Sequence, residues 1–260
     1  MTKEMIRVKS SSYTRYEDLL LKRDKLRKEA FQYQQSYVRE FGQLILEAFY
    51  QKLECIRKKK TIEFCQAAKN RGRAVDPDAL MQYLDKELAG MRKQLDVMAK
   101  EYDASKGTVV SESDLLKIRR IYHRLAKRLH PDLNPVMTGS GELQDIWNRI
   151  VAAYNCNDLK ELEELEVLAL GILEKSGGNF GEIEIEGLDD KIERIQKEMR
   201  TIQETDPYTY KFVLEDPVAL EEKRDQLQKE FEEYSRYSAE LDDVISGMGI
   251  EQGDISWRIN

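Results

Sequence analysis

The hydrophobic positions of the first part of the chain follow a helical period. Apolar side chains from Leu26 to Ala48 recur at spacings of 3 or 4 residues, which places them on one stripe of an α-helix. The pattern predicts one long helix, continuous or broken, from about Tyr13 to Asn70. At 1.5 Å per residue it would be roughly 85 Å long, too long to be buried alone, so it needs a partner helix.

A second helical segment follows a predicted turn. Arg71-Gly72-Arg73 should end the first helix, and Asp76-Pro77 supplies an N-cap and a first helical residue. Apolar residues at helical spacing continue to about Tyr102, and Lys106-Gly107 should close the segment. We expect the two helices to form an antiparallel hairpin, or coiled coil, over residues 1–106.

Heptad-like seams return in the last third of the chain. Apolar residues recur at spacings near 3.5 in 188–202 and again from Leu220 to Ile245. We interpret residues 188–250 as a second helical hairpin or coiled coil, followed by a tail at 251–260.

The segment 107–175 contains shorter helices, and a linker at 176–187 follows it. Ser111 and Asp114 form a helix start signal, whereas Ser176-Gly177-Gly178-Asn179 is typical of a flexible connection. The run Glu182–Glu186 alternates like a strand, but five isolated residues are expected to be an extended connection.

The helix that begins after Ser111 is predicted to have one apolar and one cationic face. The basic stripe is displaced from the apolar one by two positions, or about 200° around the helix. Between Leu115 and His130 six residues are basic and none is acidic. The apolar stripe consists of Leu115, Ile118, Tyr122, Leu125 and Leu129. The basic residues are Lys117, Arg119, Arg120, Arg124, Lys127 and Arg128.

The chain is predicted to turn sharply at His130-Pro131-Asp132. Proline removes a backbone donor, and the residue before it avoids helical geometry. Another amphipathic helix follows after a loop, and we expect the two helices to form an antiparallel pair. The proline should hold the imidazole and the carboxylate outward, ready to contact a partner. The apolar residues of the second helix are Ile146, Trp147, Ile150, Ala153 and Tyr154.

These two helices resemble the J-domain of DnaJ-like proteins. The run Tyr122–Ala126 followed by Leu129–Asp132 is similar to that family's second helix and HPD tripeptide, and Trp147–Tyr154 is similar to its third helix. The resemblance implies a co-chaperone that is not an enzyme and that docks on a DnaK-type chaperone to stimulate its ATP hydrolysis. His130, Pro131 and Asp132 would trigger hydrolysis, and the six basic residues would form the docking surface. No cofactor is implied for this chain.

The chain departs from the family outside this segment. No Tyr-x-x-Leu-Gly-Val helix precedes it, and we expect the preceding helix, with Leu95, Met98 and Tyr102, to take that place. The Gly/Phe-rich linker and zinc-binding repeats of DnaJ are missing, which points to a specialised J-protein. The flanking coiled coils are then expected to hold an unknown client or to form a homodimer.

Composition favours an all-α protein of long antiparallel hairpins flanking the J-domain-like pair. Charged residues make up 35% of the chain with only 14 Gly and 5 Pro, and 13 Tyr and 7 Phe argue against disorder. Residues 1–157 carry an excess of basic side chains and the remainder an excess of acidic ones. The two parts could attract each other, bind different partners, or simply be solvated faces.

Several classes of protein are disfavoured by residue content. Cys55, Cys65 and Cys156 make neither a disulfide framework nor a zinc knuckle, which predicts a cytoplasmic protein. No apolar run is long enough to span a membrane, and the N-terminus lacks a signal core. His123 and His130 lack companion ligands for a metal, and no nucleophile or phosphate-binding loop accompanies His130 and Asp132.

Two other functions stay open at this point. The chain could be a coiled-coil scaffold whose J-like segment is inactive. It could also bind nucleic acid through basic stretches such as Lys52–Arg73, although such a stretch is more often a solvated helix end.

Overall fold

The computed structural model describes residues 11–107, 110–134, 141–175 and 187–248. Every regular element in these ranges is an α-helix, which confirms the predicted all-α fold. Most of the predicted linker at 176–187, its run Glu182–Glu186 and the tail at 251–260 lie outside the described residues. The helices are α1 (Ser11–Asn70), α2 (Pro77–Ser105), α3 (Glu112–Leu129), α4 (Gly141–Asn155), α5 (Leu159–Lys175), α6 (Leu188–Glu204), α7 (Tyr210–Leu214) and α8 (Pro217–Gly247).

The helix ends follow local chemistry in the sequence. α1 is a single helix of 60 residues, and Gly72 takes a left-handed φ of 66° in the turn after it. The side chain of Asp76 accepts hydrogen bonds from two backbone N–H groups at the start of α2, and Pro77 is the first helical residue. Ser111 caps α3 in the same way, through the backbone N–H of Asp114.

The chain divides into two compact units to which α1 contributes different parts. Unit 1 consists of Met1–Gln34 and Thr108–Lys211, and unit 2 consists of Gln35–Gly107 and Phe212–Asn260. This differs from the predicted C-terminal hairpin over 188–250, because α6 falls in unit 1 and α8 in unit 2. Periodicity identifies the apolar seam of each helix but does not identify the partner that covers it.

In unit 2, α2 and α8 both pack against α1. The rings of Phe64 and Tyr83 lie 5.4 Å apart, and the Nε of Arg39 donates to the carbonyl of Ser105 at 2.7 Å, so α2 runs antiparallel to α1. The apolar core between them is formed by Leu53, Leu80, Leu84 and Leu88. The buried Lys58 of α1 contacts α8, where its ammonium donates to Ser238 and Asp242 at 2.7 and 2.6 Å.

In unit 1, α3, α4 and α5 share one apolar core. α5 contributes Leu162, Leu165 and Ala169, all of them fully buried. The first part of α1 packs against this assembly through Leu21, and against α6 through a second cluster that contains Leu20 and Ile195. α6 runs parallel to α1 here, since Leu20 shares a cluster with Ile195 and, further along, Ala30 shares one with Ile202.

Candidate protein-docking site

The core of the J-domain-like segment is built from the apolar stripes of α3 and α4. The rings of Tyr122 and Tyr154 stack 3.8 Å apart, and His130 meets Trp147 edge-on at 4.9 Å, so α4 runs antiparallel to α3. Nine of the ten predicted core residues are buried, and Leu115 at the start of α3 is half-buried. Residues 135–140 of the connecting loop lie outside the described residues.

All six basic residues of the predicted docking surface are exposed on α3. Three of them make ion pairs inside unit 1. Arg124 forms a bidentate pair with Glu166 of α5 at 2.7 and 2.9 Å. Lys127 lies 2.9 Å from Glu17 of α1, and Lys117 lies 3.1 Å from Asp114 one turn earlier. Arg120 and Arg128 lie on the same face of α3 as these pairs. Arg119 projects about 100° away from Arg120 around the helix, on the side where its charge acts on Lys28 of α1.

The turn at His130-Pro131-Asp132 forms where expected, but the imidazole does not point outward. α3 ends at Leu129, and the backbone N–H groups of Leu133 and Asn134 donate to the carbonyl of His130. His130 is only 4% exposed, whereas Pro131 and Asp132 are half-buried. The expectation of an outward imidazole is wrong for His130, because α1 lies over this side of the turn and Trp147 packs beneath the ring.

Hydrogen bonds fix the tautomer of His130. The backbone N–H of Asp132 donates to Nδ1 at 3.0 Å, so the ring proton resides on Nε2. Nε2 lies 3.5 Å from the carboxylate of Asp24 on α1, which is the acceptor available to it. The guanidinium of Arg23 approaches the same nitrogen at 3.3 Å but bonds to Asp24 instead, since two donors cannot share a hydrogen bond.

Asp24 is the acceptor at the centre of a buried polar cluster. It accepts a 2.8 Å hydrogen bond from the hydroxyl of Tyr122 and a 3.2 Å bond from Arg23. Burial opposes ionisation of Asp24, but the hydrogen bond from His130, the charge of Arg23 and the hydrogen bond from the Tyr122 hydroxyl outweigh it and lower the pKa of Asp24. Burial and the neighbouring Asp24 raise the pKa of Tyr122 strongly, so its hydroxyl remains a donor.

Arg23 links this cluster to the exposed side of the corner. Its Nη1 lies 3.3 Å from the carboxylate of Asp132 and 3.4 Å from that of Glu198 on α6. A cleft of about 250 Å³ opens beside these groups, between Arg27 and the rings of Trp147 and Tyr154. Two guanidinium groups and a half-buried carboxylate at one cleft are suited to polar contacts with another protein.

Sequence reasoning missed the contribution of α1 to this site. The end of α2, with Leu95, Met98 and Tyr102, does not supply the first helix of the J-like segment, because it belongs to unit 2. The start of α1 packs against α3 instead, through Arg23 and Asp24. The available signal was the helical spacing of Tyr16 and Leu20, four residues apart, both of which are fully buried.

Comparisons of this chain with family models, with curated proteins and with solved structures find no match. The described helices include none that combines the length and apolar character of a membrane span. Among the described residues, no group of three or more His, Cys, Asp or Glu side chains is placed to hold a metal ion.

Proposed function

We propose that this chain is a J-domain co-chaperone that docks on a DnaK-type chaperone and stimulates its ATP hydrolysis. The observation that carries the proposal is the exposed cationic face of α3, which leads directly into the turn His130-Pro131-Asp132. The antiparallel partner α4 and the buried Trp147 hold this turn in place. A rigid cationic surface can steer an acidic partner into register before the close contacts form.

The steady-state ATPase of a DnaK-type chaperone from the same organism tests this proposal. We expect the full chain to accelerate turnover, and Asp132→Asn or His130→Gln to lower the stimulation by about tenfold or more, as for loss of a central interface contact. His123→Gln is the matched control, because His123 is the only other histidine of the chain and lies on α3 outside the turn. Full stimulation by a folded Asp132→Asn protein would contradict the proposal.

A coiled-coil scaffold with an inactive J-like segment is the second candidate, and the burial of His130 favours it. For such a scaffold, neither the wild-type chain nor any folded variant should stimulate the ATPase of the chaperone. Nucleic-acid binding has less support, because Lys58, Lys59 and Lys60 are engaged within unit 2 by Asp242, the Tyr237 ring and Glu87.

The proposal also includes a cytoplasmic location and a homodimer. The three cysteines are free thiols, which suits the cytoplasm. Long apolar seams suit a homodimer, and light scattering after size exclusion would detect one by its mass.

A further inference from the structure

One stretch of α1 lies over the turn that the chaperone would contact. We call Tyr16–Lys28 the covering segment. Its Arg23 lies 3.3 Å from the carboxylate of Asp132, and its Glu17 lies 2.9 Å from the ammonium of Lys127. The segment therefore offers a cation to the carboxylate of the turn and an anion to the cationic helix. This is the charge pattern that an external partner of the same surface would need.

Apolar and polar contacts hold the covering segment in place. Tyr16 and Leu20 are fully buried and pack against Leu133, directly after the turn, and against Ile195 of α6. Glu198 of α6 adds an ion pair to Arg23 at 3.4 Å. The segment is thus fixed from two sides, and His130 is inaccessible while it stays in place.

The cover over the turn is incomplete. The side chain of Asp132 keeps 38% of its surface exposed, and Pro131 is half-buried. The guanidinium of Arg23 in this ion pair is buried, but the carboxylate of Asp132 is reached by solvent, so a competing cation can approach Asp132 from outside. The open cleft beside the turn is a surface that such a competitor can contact first.

We propose that the covering segment is an internal competitor of the DnaK-type chaperone for the turn His130-Pro131-Asp132. The inference rests on the function proposed above. While the segment is bound, His130 is hidden; when Arg23 leaves Asp132 and the segment moves, the turn becomes accessible. The apparent affinity for the chaperone is then reduced in proportion to the fraction of molecules in which the segment is released.

The test compares Arg23→Gln with Lys25→Gln in the full-length chain. Both remove one positive charge from α1, but Lys25 pairs only one turn along its own helix, with Glu29. Leu20→Ala is a second variant, which weakens the apolar anchor and leaves the polar contacts intact. Circular dichroism establishes that each variant keeps its helical content.

Two measurements are made on each variant. The first is the rate at which diethylpyrocarbonate modifies His130, with His123 as internal reference. The second is the concentration at which the chain half-saturates its stimulation of the chaperone ATPase. We expect Arg23→Gln and Leu20→Ala to increase the rate at which His130 is modified. If the covering segment is released in about one wild-type molecule in five, both variants should also lower the half-saturation concentration about fivefold. Lys25→Gln should match the wild type in both.

The outcomes separate the two proposals. If the chain stimulates the chaperone, but the variants leave either His130 reactivity or the half-saturation concentration unchanged, the internal competitor is refuted and the co-chaperone function stands. If His130 becomes more reactive and no variant stimulates the chaperone, the co-chaperone function fails and the competitor with it.

Discussion

Lys28 is a buried cation that faces an aromatic ring. Its ammonium lies 3.8 Å from the centre of the Tyr154 ring, within cation–π range. Burial, with a smaller contribution from the charge of Arg119, lowers the pKa of Lys28 to about 8. The aromatic contact thus offsets only part of the cost of taking this charge out of water.

The stability of the protein should rise with pH because of Lys28. Between its folded pKa of about 8 and its ordinary value of 10.5, the unfolded chain binds more protons than the folded chain, so the free energy of unfolding increases with pH. After allowance for solvent screening, we expect the wild type to gain about 1 kcal/mol relative to Lys28→Met between pH of about 7 and 9.5. Urea denaturation followed by circular dichroism measures this difference.

The control for this experiment is Lys25→Met. Lys25 also lies on α1 and is exposed, so its loss removes a lysine without relieving burial. If the difference in the free energy of unfolding between wild type and Lys28→Met stays constant across the pH range, the positive charge of Lys28 does not destabilise the folded protein.

At the scale of single elements, α1 and α2 are in close contact at Gly42. A Cβ atom at this position would lie 2.5 Å from Cδ2 and 3.1 Å from Cγ of Tyr102. Gly90, within α2, is exposed, and a Cβ atom added there would have nothing within 4 Å. Both glycines lie in the middle of a helix, but a side chain would be crowded at Gly42 and unhindered at Gly90.

Alanine substitutions at these two glycines should have different effects. Gly90→Ala should raise the free energy of unfolding by about 1 kcal/mol, the usual gain in helix propensity. Gly42→Ala should gain less or lose stability, because the Tyr102 ring must move and its packing is disturbed. Thermal denaturation of both variants checks this. An equal gain at both sites would mean that α2 does not approach α1 closely at Tyr102.

Charge is distributed unevenly over the whole molecule. The net charge is −7, yet α3 exposes six basic side chains. Several acidic residues of the chain are used locally, as Glu166 is with Arg124 and Glu17 is with Lys127. Arg119 and Arg120 stay exposed on α3, so the field at this surface is positive.

Docking on the chaperone should therefore weaken with salt. Raising ionic strength from about 0.05 to 0.2 M should increase the half-saturation concentration several-fold, because the Debye length falls from about 14 to about 7 Å. The double variant Arg119→Gln/Arg120→Gln should raise half-saturation at low salt and reduce this salt dependence, with maximal stimulation unchanged. Lys86→Gln/Lys93→Gln, at exposed sites on α2, is the matched control. Identical salt dependence in both double variants would exclude docking through the cationic face of α3.

The sequence by itself determined the ends of several helices. Asp76-Pro77 and Ser111 begin helices because their side chains and ring geometry satisfy the first turn locally. Pro131 ends α3 for an equally local reason. The buried face of α3 also follows from spacing alone, since residues three and four apart share one side of a helix.

Only the tertiary structure decided which partner covers each face. His130 is hidden by Arg23 and Asp24, of which Arg23 lies 107 residues away along the chain. Helical periodicity carries no information about such a distant partner, because it records which side of a helix is apolar and not what packs on it. Buried charges at Arg23 and Asp24 are stable only as a mutually bonded set, and that set exists only once α1 and α3 are side by side.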